Sequence, residues 1–111
     1  MDVPHKELVV YKAPNGKHPY LVWLERLNDT KAEAAILKRL DRVAMGLMGD
    51  CKALGEQLYE LRIHVGPGYC VYLAQEPEHL VLLLLGGDKS TQAQDIQKAR
   101  EYHRDYKSNP L

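Results

Sequence analysis

The chain has 111 residues, 45% of them hydrophobic, which is room for one domain with a modest core and leaves little for a second. Fifteen Lys+Arg balance fifteen Asp+Glu, so the sequence lacks the basic excess of a protein whose main task is to clamp naked nucleic acid. Two cysteines, Cys51 and Cys70, are too few for a disulfide framework and lack metal-ligand spacing, which points to free thiols in a reducing, cytoplasmic setting.

The first five residues, Met1 to His5, carry no apolar run of the secretory kind. The longest apolar run, Leu80 to Leu85, falls far short of the ~20 residues that span a bilayer, so no membrane role is expected. Residues 7–12 read as a short strand rich in β-branched and aromatic side chains, stopped by the turn sequence Ala13-Pro14-Asn15-Gly16. A helix is predicted from Pro19, with Tyr20, Trp23, Leu24 and Leu27 on one face and Asn28-Asp29 closing it.

A second helix is predicted at once, because Thr30-Lys31-Ala32-Glu33 has capping-box spacing. Ile36, Leu40, Val43 and Leu47 repeat at helical intervals, whereas Lys38, Arg39 and Arg42 read as its wet side, and Gly46 and Gly49 mark its end. From Leu58 the period becomes two. Tyr59, Leu61, Ile63 and Val65 point one way, Glu60, Arg62 and His64 the other; Gly66-Pro67-Gly68 turns the chain, and Tyr69 to Ala74 returns. Leu80 to Leu85 reads as a central strand buried on both faces, broken by Gly86-Gly87-Asp88-Lys89-Ser90. Thr91 to Gln94 then opens a helix with Ile96, Ala99, His103 and Tyr106 inside, and residues 108–111 read as a loose tail. The prediction is one α+β domain over 1–111: strand, two helices, a three-stranded meander and a helix, with a mostly antiparallel sheet.

Two places carry candidate chemistry. If Val65 pairs with Tyr69, His64 faces Cys70 and Arg62 faces Tyr72, so Glu60, Arg62, His64 and Tyr72 share one side of the sheet. Arg62 there can neutralise charge developing at a phosphate while His64 or Tyr72 moves a proton; spacing alone favours the plainer reading, that this side is the solvated face of a half-buried hairpin. The second place is the corner Gly86 to Ser90. Amides of Gly87 and Ser90 at a helix start, with Lys89 and Gln92, can hold an anion; alternatively the glycines turn the chain and Ser90 or Thr91 is an ordinary cap. It lacks the spacing of a P-loop. The five histidines form no pair at metal-ligand spacing, so no metal and no cofactor are expected. Cys70 beside His64 suggests a thiol nucleophile, but a strand cysteine with no third orienting group reads as packing.

Taken together, Asn15-Gly16-Lys17 before a Trp-containing helix, Arg39-Leu40-Asp41-Arg42, Gly49-Asp50-Cys51-Lys52, Glu60-Leu61-Arg62-Ile63, Gly66-Pro67-Gly68-Tyr69, and Gly86 to Ser90 with Gln92, Asp95 and Ile96 follow one order. From about Leu8 to Tyr102 this resembles the phage-derived, HigB-like branch of the RelE/ParE superfamily, the addiction-module killer proteins. The resemblance implies a RelE-like fold, with two helices on one side of a twisted antiparallel sheet and a terminal helix nearby. It implies the toxin of a type II toxin–antitoxin module that inhibits translation by metal-independent, ribosome-dependent cleavage of mRNA. A helix-turn-helix antitoxin would be its partner, and Arg62 and Lys89 would stabilise the scissile phosphate. One departure stands out: Cys70 follows Gly-Pro-Gly-Tyr where close relatives carry arginine. That change and the neutral charge keep a non-catalytic alternative open, either a gyrase poison or a degenerate toxin retained for antitoxin binding.

Overall fold

A computed structural model describes residues 5–109. The readings made at Met1–Pro4 and at Pro110–Leu111 lie outside those residues. A strand, β1 (Glu7–Val10), leads to two helices, α1 (Pro19–Arg26) and α2 (Thr30–Ala44). Four strands follow, β2 (Cys51–Gly55), β3 (Leu58–Ile63), β4 (Tyr69–Glu76) and β5 (Leu80–Asp88). A 3₁₀ turn over Lys89–Thr91 then enters the long helix α3 (Gln92–Ser108). The sheet order is β1-β5-β4-β3-β2, with β1 parallel to β5 and every other pair antiparallel. This is the α+β architecture expected, with one more strand in the meander than predicted.

That extra strand, β2, has no β-branched residue and is half exposed; its pairing with β3 makes it a strand. The turn joining them places Glu56 and Gln57 in the left-handed region (φ 53° and 67°) directly after Gly55 (φ 90°), so a single glycine marks it, without the Asn-Gly or Gly-Gly pair typical of such hairpins. Helix α2 is capped by Asp29, whose carboxylate accepts from the Ala32 amide at 3.0 Å, one residue ahead of the Thr30 box expected. Because α2 ends at Ala44 and Gly46 adopts φ +87°, Leu47 leaves the apolar stripe and is exposed. At the other end of the chain, Ser108 closes α3 rather than opening a tail.

Alternation sorts the sheet's side chains between two cores. Leu61, Ile63, Val71, Leu73, Val81 and Leu83 pack with Tyr20 of α1 and Ile36, Leu40 and Val43 of α2. Leu58, Tyr72, Ala74, Leu82 and Leu84 pack with Ala99 of α3 on the opposite face. Strand β5 is therefore buried on both sides, as its unbroken apolar run predicts.

The two glycines do not break β5; the strand runs through them to Asp88. They leave room on its two faces. A Cβ on Gly86 would overlap the Trp23 ring, and one on Gly87 would overlap the Asp95 carboxylate of α3. Neither adopts a positive φ, so what is required here is space and not backbone freedom. Gly86→Ala sets two effects against each other. Lower unfolded-state entropy stabilises by about 0.4–1 kcal/mol. Overpacking the indole costs about 1–3 kcal/mol. The variant is expected to unfold at lower urea concentration than the wild type, and an unchanged or higher midpoint would show that the ring yields freely.

Candidate functional site

The site is built at the end of the sheet where β3, β4 and α3 meet. The hairpin between β3 and β4 closes at Ile63–Tyr69, so its connection runs over five residues, His64 to Gly68. The expected Val65–Tyr69 pairing does not form. Gly66 and Gly68 both take positive φ (57° and 89°), and the Gly68 amide donates to the Val65 carbonyl at 3.0 Å in a turn of its own. Arg62 consequently faces Cys70 and Glu60 faces Tyr72, one pair along from the register expected. The slip is by a whole pleat, so Glu60, Arg62, Cys70 and Tyr72 still share the α3 face.

That face is not the solvated side of a hairpin. Glu60 is 0% exposed beneath the first turn of α3, where its two oxygens accept from Arg62 Nε at 3.2 Å and Gln92 Nε2 at 3.0 Å. A buried carboxylate needs such donors, because an unpaired charge in a dry site costs several kcal/mol. Arg62 remains 42% exposed, so its charge is partly dissolved in solvent while its Nε satisfies Glu60. Tyr72 lies beside them, wholly buried, its hydroxyl close to the Glu60 carboxylate and the Cys70 thiol but without well-formed hydrogen-bond geometry to any described residue. Burial also holds its phenol well above the ordinary tyrosine range.

Above this polar floor opens a cleft of about 290 Å³ lined by Arg62, His64, Tyr69, Cys70, Lys89 and Gln92, among others. Four of the side chains singled out in the sequence, Arg62, His64, Lys89 and Gln92, thus meet in one place. Tyr72 does not line it, and neither do Gly87 and Ser90. Gly87 is occupied by the approach of Asp95, which accepts the Thr91 hydroxyl at 2.5 Å. Ser90, though exposed, is committed too: its amide and hydroxyl both donate to Asp88, at 2.8 and 2.6 Å. The acceptor that Ser90 meets at this corner is the chain's own.

Three residues of the site went unread. His64, off the ladder, swings to Asp50, with Nε2 and Oδ2 2.6 Å apart. Arg39, expected on the wet side of α2, fixes where Asp50 sits. Its guanidinium donates to the carbonyls of Met48 (3.1 and 2.9 Å), Asp50 (2.6 Å) and Arg62 (2.7 Å). Tyr69 was read only as a strand start, although it lines the cleft and its ring meets Trp23 edge-on at 6.2 Å. The Gly49-Asp50 pair after the second helix was the available signal for the first two. Cys70 is only 7% exposed, and burial raises its thiol pKa, so it is a poor source of thiolate.

A second cleft of about 350 Å³ lies next to the first, lined by Lys17, Trp23, Arg26, Asp95, Lys98 and Tyr102 among others. Arg62 and Lys89 line the first cleft, with Glu60 bonded to Arg62 and Asp50 to His64; Lys17, Arg26 and Lys98 line the second together with Asp95. The uncompensated cations at this end are thus Lys17, Arg26, Lys89 and Lys98, which no carboxylate among the described residues approaches within 4.0 Å, so neutral net charge still leaves places here that suit an anion.

The imidazole of His64, through its hydrogen bond and its charge, holds the Asp50 carboxyl below the usual value of 3.8. A depressed carboxylate stabilises the fold at pH values above its unfolded pKa, and that contribution fades as pH falls through the folded pKa. In a carbon-detected NMR titration Asp50 is expected to protonate below 3.8 and to move back up in His64→Ala. A titration of Asp50 that His64→Ala leaves in place would remove the pairing from the site.

No protein-family model matches the chain. An uncharacterized protein of Haemophilus influenzae (strain Rd) is 46% identical to it over 78 residues, a stretch that covers 70% of this chain and 79% of that one. Identity of that level over that share of both proteins makes them members of one family, to which this chain belongs together with the Haemophilus influenzae protein.

Proposed function

We propose that this protein is the toxin of a type II toxin–antitoxin module of RelE/ParE kind, and that it inhibits translation by cutting mRNA on the ribosome. The observation that carries the reading is the convergence of Arg62, Lys89 and His64 on one cleft at the end of the sheet. Two cations there suit a backbone phosphate, and an imidazole held by a carboxylate suits proton transfer. In the reaction, a ribose 2′-oxygen attacks the adjacent phosphorus, its proton passing to His64. The bond from phosphorus to the 5′-oxygen breaks, leaving a 2′,3′-cyclic phosphate, and the departing 5′-oxygen takes a proton from solvent. Arg62 and Lys89 stabilise the charge that gathers on the phosphate oxygens meanwhile. Independence from metal comes with the resemblance. Tyr72, buried and off the cleft, has no step here.

The antitoxin is proposed as the partner that silences the cleft. Expression in cells with primer extension on a reporter transcript tests the activity. Each donor removed from such a site commonly costs about 10²–10³ in rate, so Arg62→Ala combined with Lys89→Ala should abolish both cleavage and growth arrest. Codon-spaced cleavage that persists in the double variant would exclude these residues from the chemistry.

Cys70 favours a second reading, a degenerate toxin kept for antitoxin binding. It occupies the position where the resemblance expects arginine, and its buried thiol offers no positive charge. On this reading the wild type is weakly toxic or harmless, and Cys70→Arg restores toxicity. Cells that grow equally well with either protein would leave the degenerate reading without support.

A further inference from the structure

The chemistry proposed for the first cleft leaves the second unused, and its composition is unlike a packing gap. Trp23 and Tyr102 supply aromatic surface, and Lys17, Arg26 and Lys98 supply charge. Among the described residues none of these three cations lies within 4.0 Å of a carboxylate. The carboxylate that shares the cleft, Asp95, is buried and already accepts the Thr91 hydroxyl. A bare phosphate would find the cations but have no use for the rings, and an apolar segment would leave the cations unmatched. A nucleotide uses both, since its base stacks on an aromatic side chain and its phosphate displaces counterions from Lys and Arg.

The two clefts are also neighbours. Trp23 of the second meets Tyr69 of the first at 6.2 Å, and Asp95 and Gln92 lie one turn apart on α3. We infer that the second cleft holds a nucleotide of single-stranded RNA, flanking the one whose phosphate enters the first cleft. This rests on the RNA-cutting reading proposed above and adds to it a second subsite along the strand.

Trp23 is the sole tryptophan of the chain, so its emission reports on this cleft directly. The probe is a mixed-sequence pentaribonucleotide with 2′-O-methyl groups, which cannot be cut, with uridine monophosphate and inorganic phosphate alongside. Saturable quenching by the pentanucleotide and by uridine monophosphate is expected. The triple variant Lys17→Ala, Arg26→Ala, Lys98→Ala should raise the pentanucleotide Kd about tenfold or more and flatten its salt dependence, each lost phosphate contact reducing the slope by about 0.7. All three side chains are exposed, so its urea midpoint should match the wild type, and a matched midpoint assigns the loss to binding.

Pentanucleotide binding unchanged in the triple variant would overturn the inference. So would quenching by inorganic phosphate equal to that by uridine monophosphate, or a response to an acidic peptide with none to RNA. Growth arrest scores the toxin reading separately. Arrest by wild type and triple variant alike sinks the second cleft alone. Pentanucleotide binding that the triple variant loses, in a protein that arrests nothing, keeps the subsite and removes the cutting.

Discussion

The end of the sheet where the two clefts open depends on a stretch of backbone without side chains. At Gly86 and Gly87 the central strand lets an indole from α1 lie against one face and a carboxylate from α3 against the other. Close approach of that kind is available only where no Cβ intervenes. It draws both helical layers onto the end of the sheet, so the two clefts open side by side within reach of cations from the 13–17 loop, α1, β3, the 3₁₀ turn and α3.

Beneath the first cleft the arrangement is costly and specific. A wholly buried Glu60 has to be satisfied, and the donors that satisfy it are two of the residues lining the cleft. The carboxylate thereby limits where Arg62 and Gln92 can point. It also joins the first turn of α3 to β3, two elements far apart in sequence. Half of Arg62 reaching solvent keeps this from being a fully buried ion pair, whose desolvation commonly offsets its attraction. The neighbouring Tyr72 hydroxyl is left over, a polar group held in the core by the size and apolar surface of its ring.

How legible this was in the sequence follows physical lines. Periodicity revealed α1, α2, α3, β3 and β5, because each buries a stripe or a full face against the core. It missed β2, whose half-exposed residues include no β-branched side chain and owe their conformation to a partner strand, and whose turn puts Glu56 and Gln57 in the left-handed region with Gly55 alone as a signal. The parity of β3 was readable, since a pleat allows two faces only; its exact neighbour was not, because the Gly66-Pro67-Gly68 loop folds on itself and takes His64 and Val65 out of the ladder. Arg62, His64, Lys89 and Gln92 could be nominated by residue type. The buried state of Glu60 could not, because alternation alone does not say which face a later helix will cover. Asp50 and Arg39 stayed hidden for a related reason: their partners are backbone carbonyls and an imidazole from distant segments.

Arg39 has a further consequence for how such proteins are compared. One planar guanidinium spans three carbonyls contributed by the loop after α2, by the lead-in to β2 and by β3. An ammonium, compact and without a fork, cannot bridge the same set. The demand for arginine at this position is thus set by the spacing of main-chain oxygens and makes no reference to any ligand. An alignment column that admits nothing else at this place would have a structural reason before any catalytic one: the side chain keeps the frame square around the cleft.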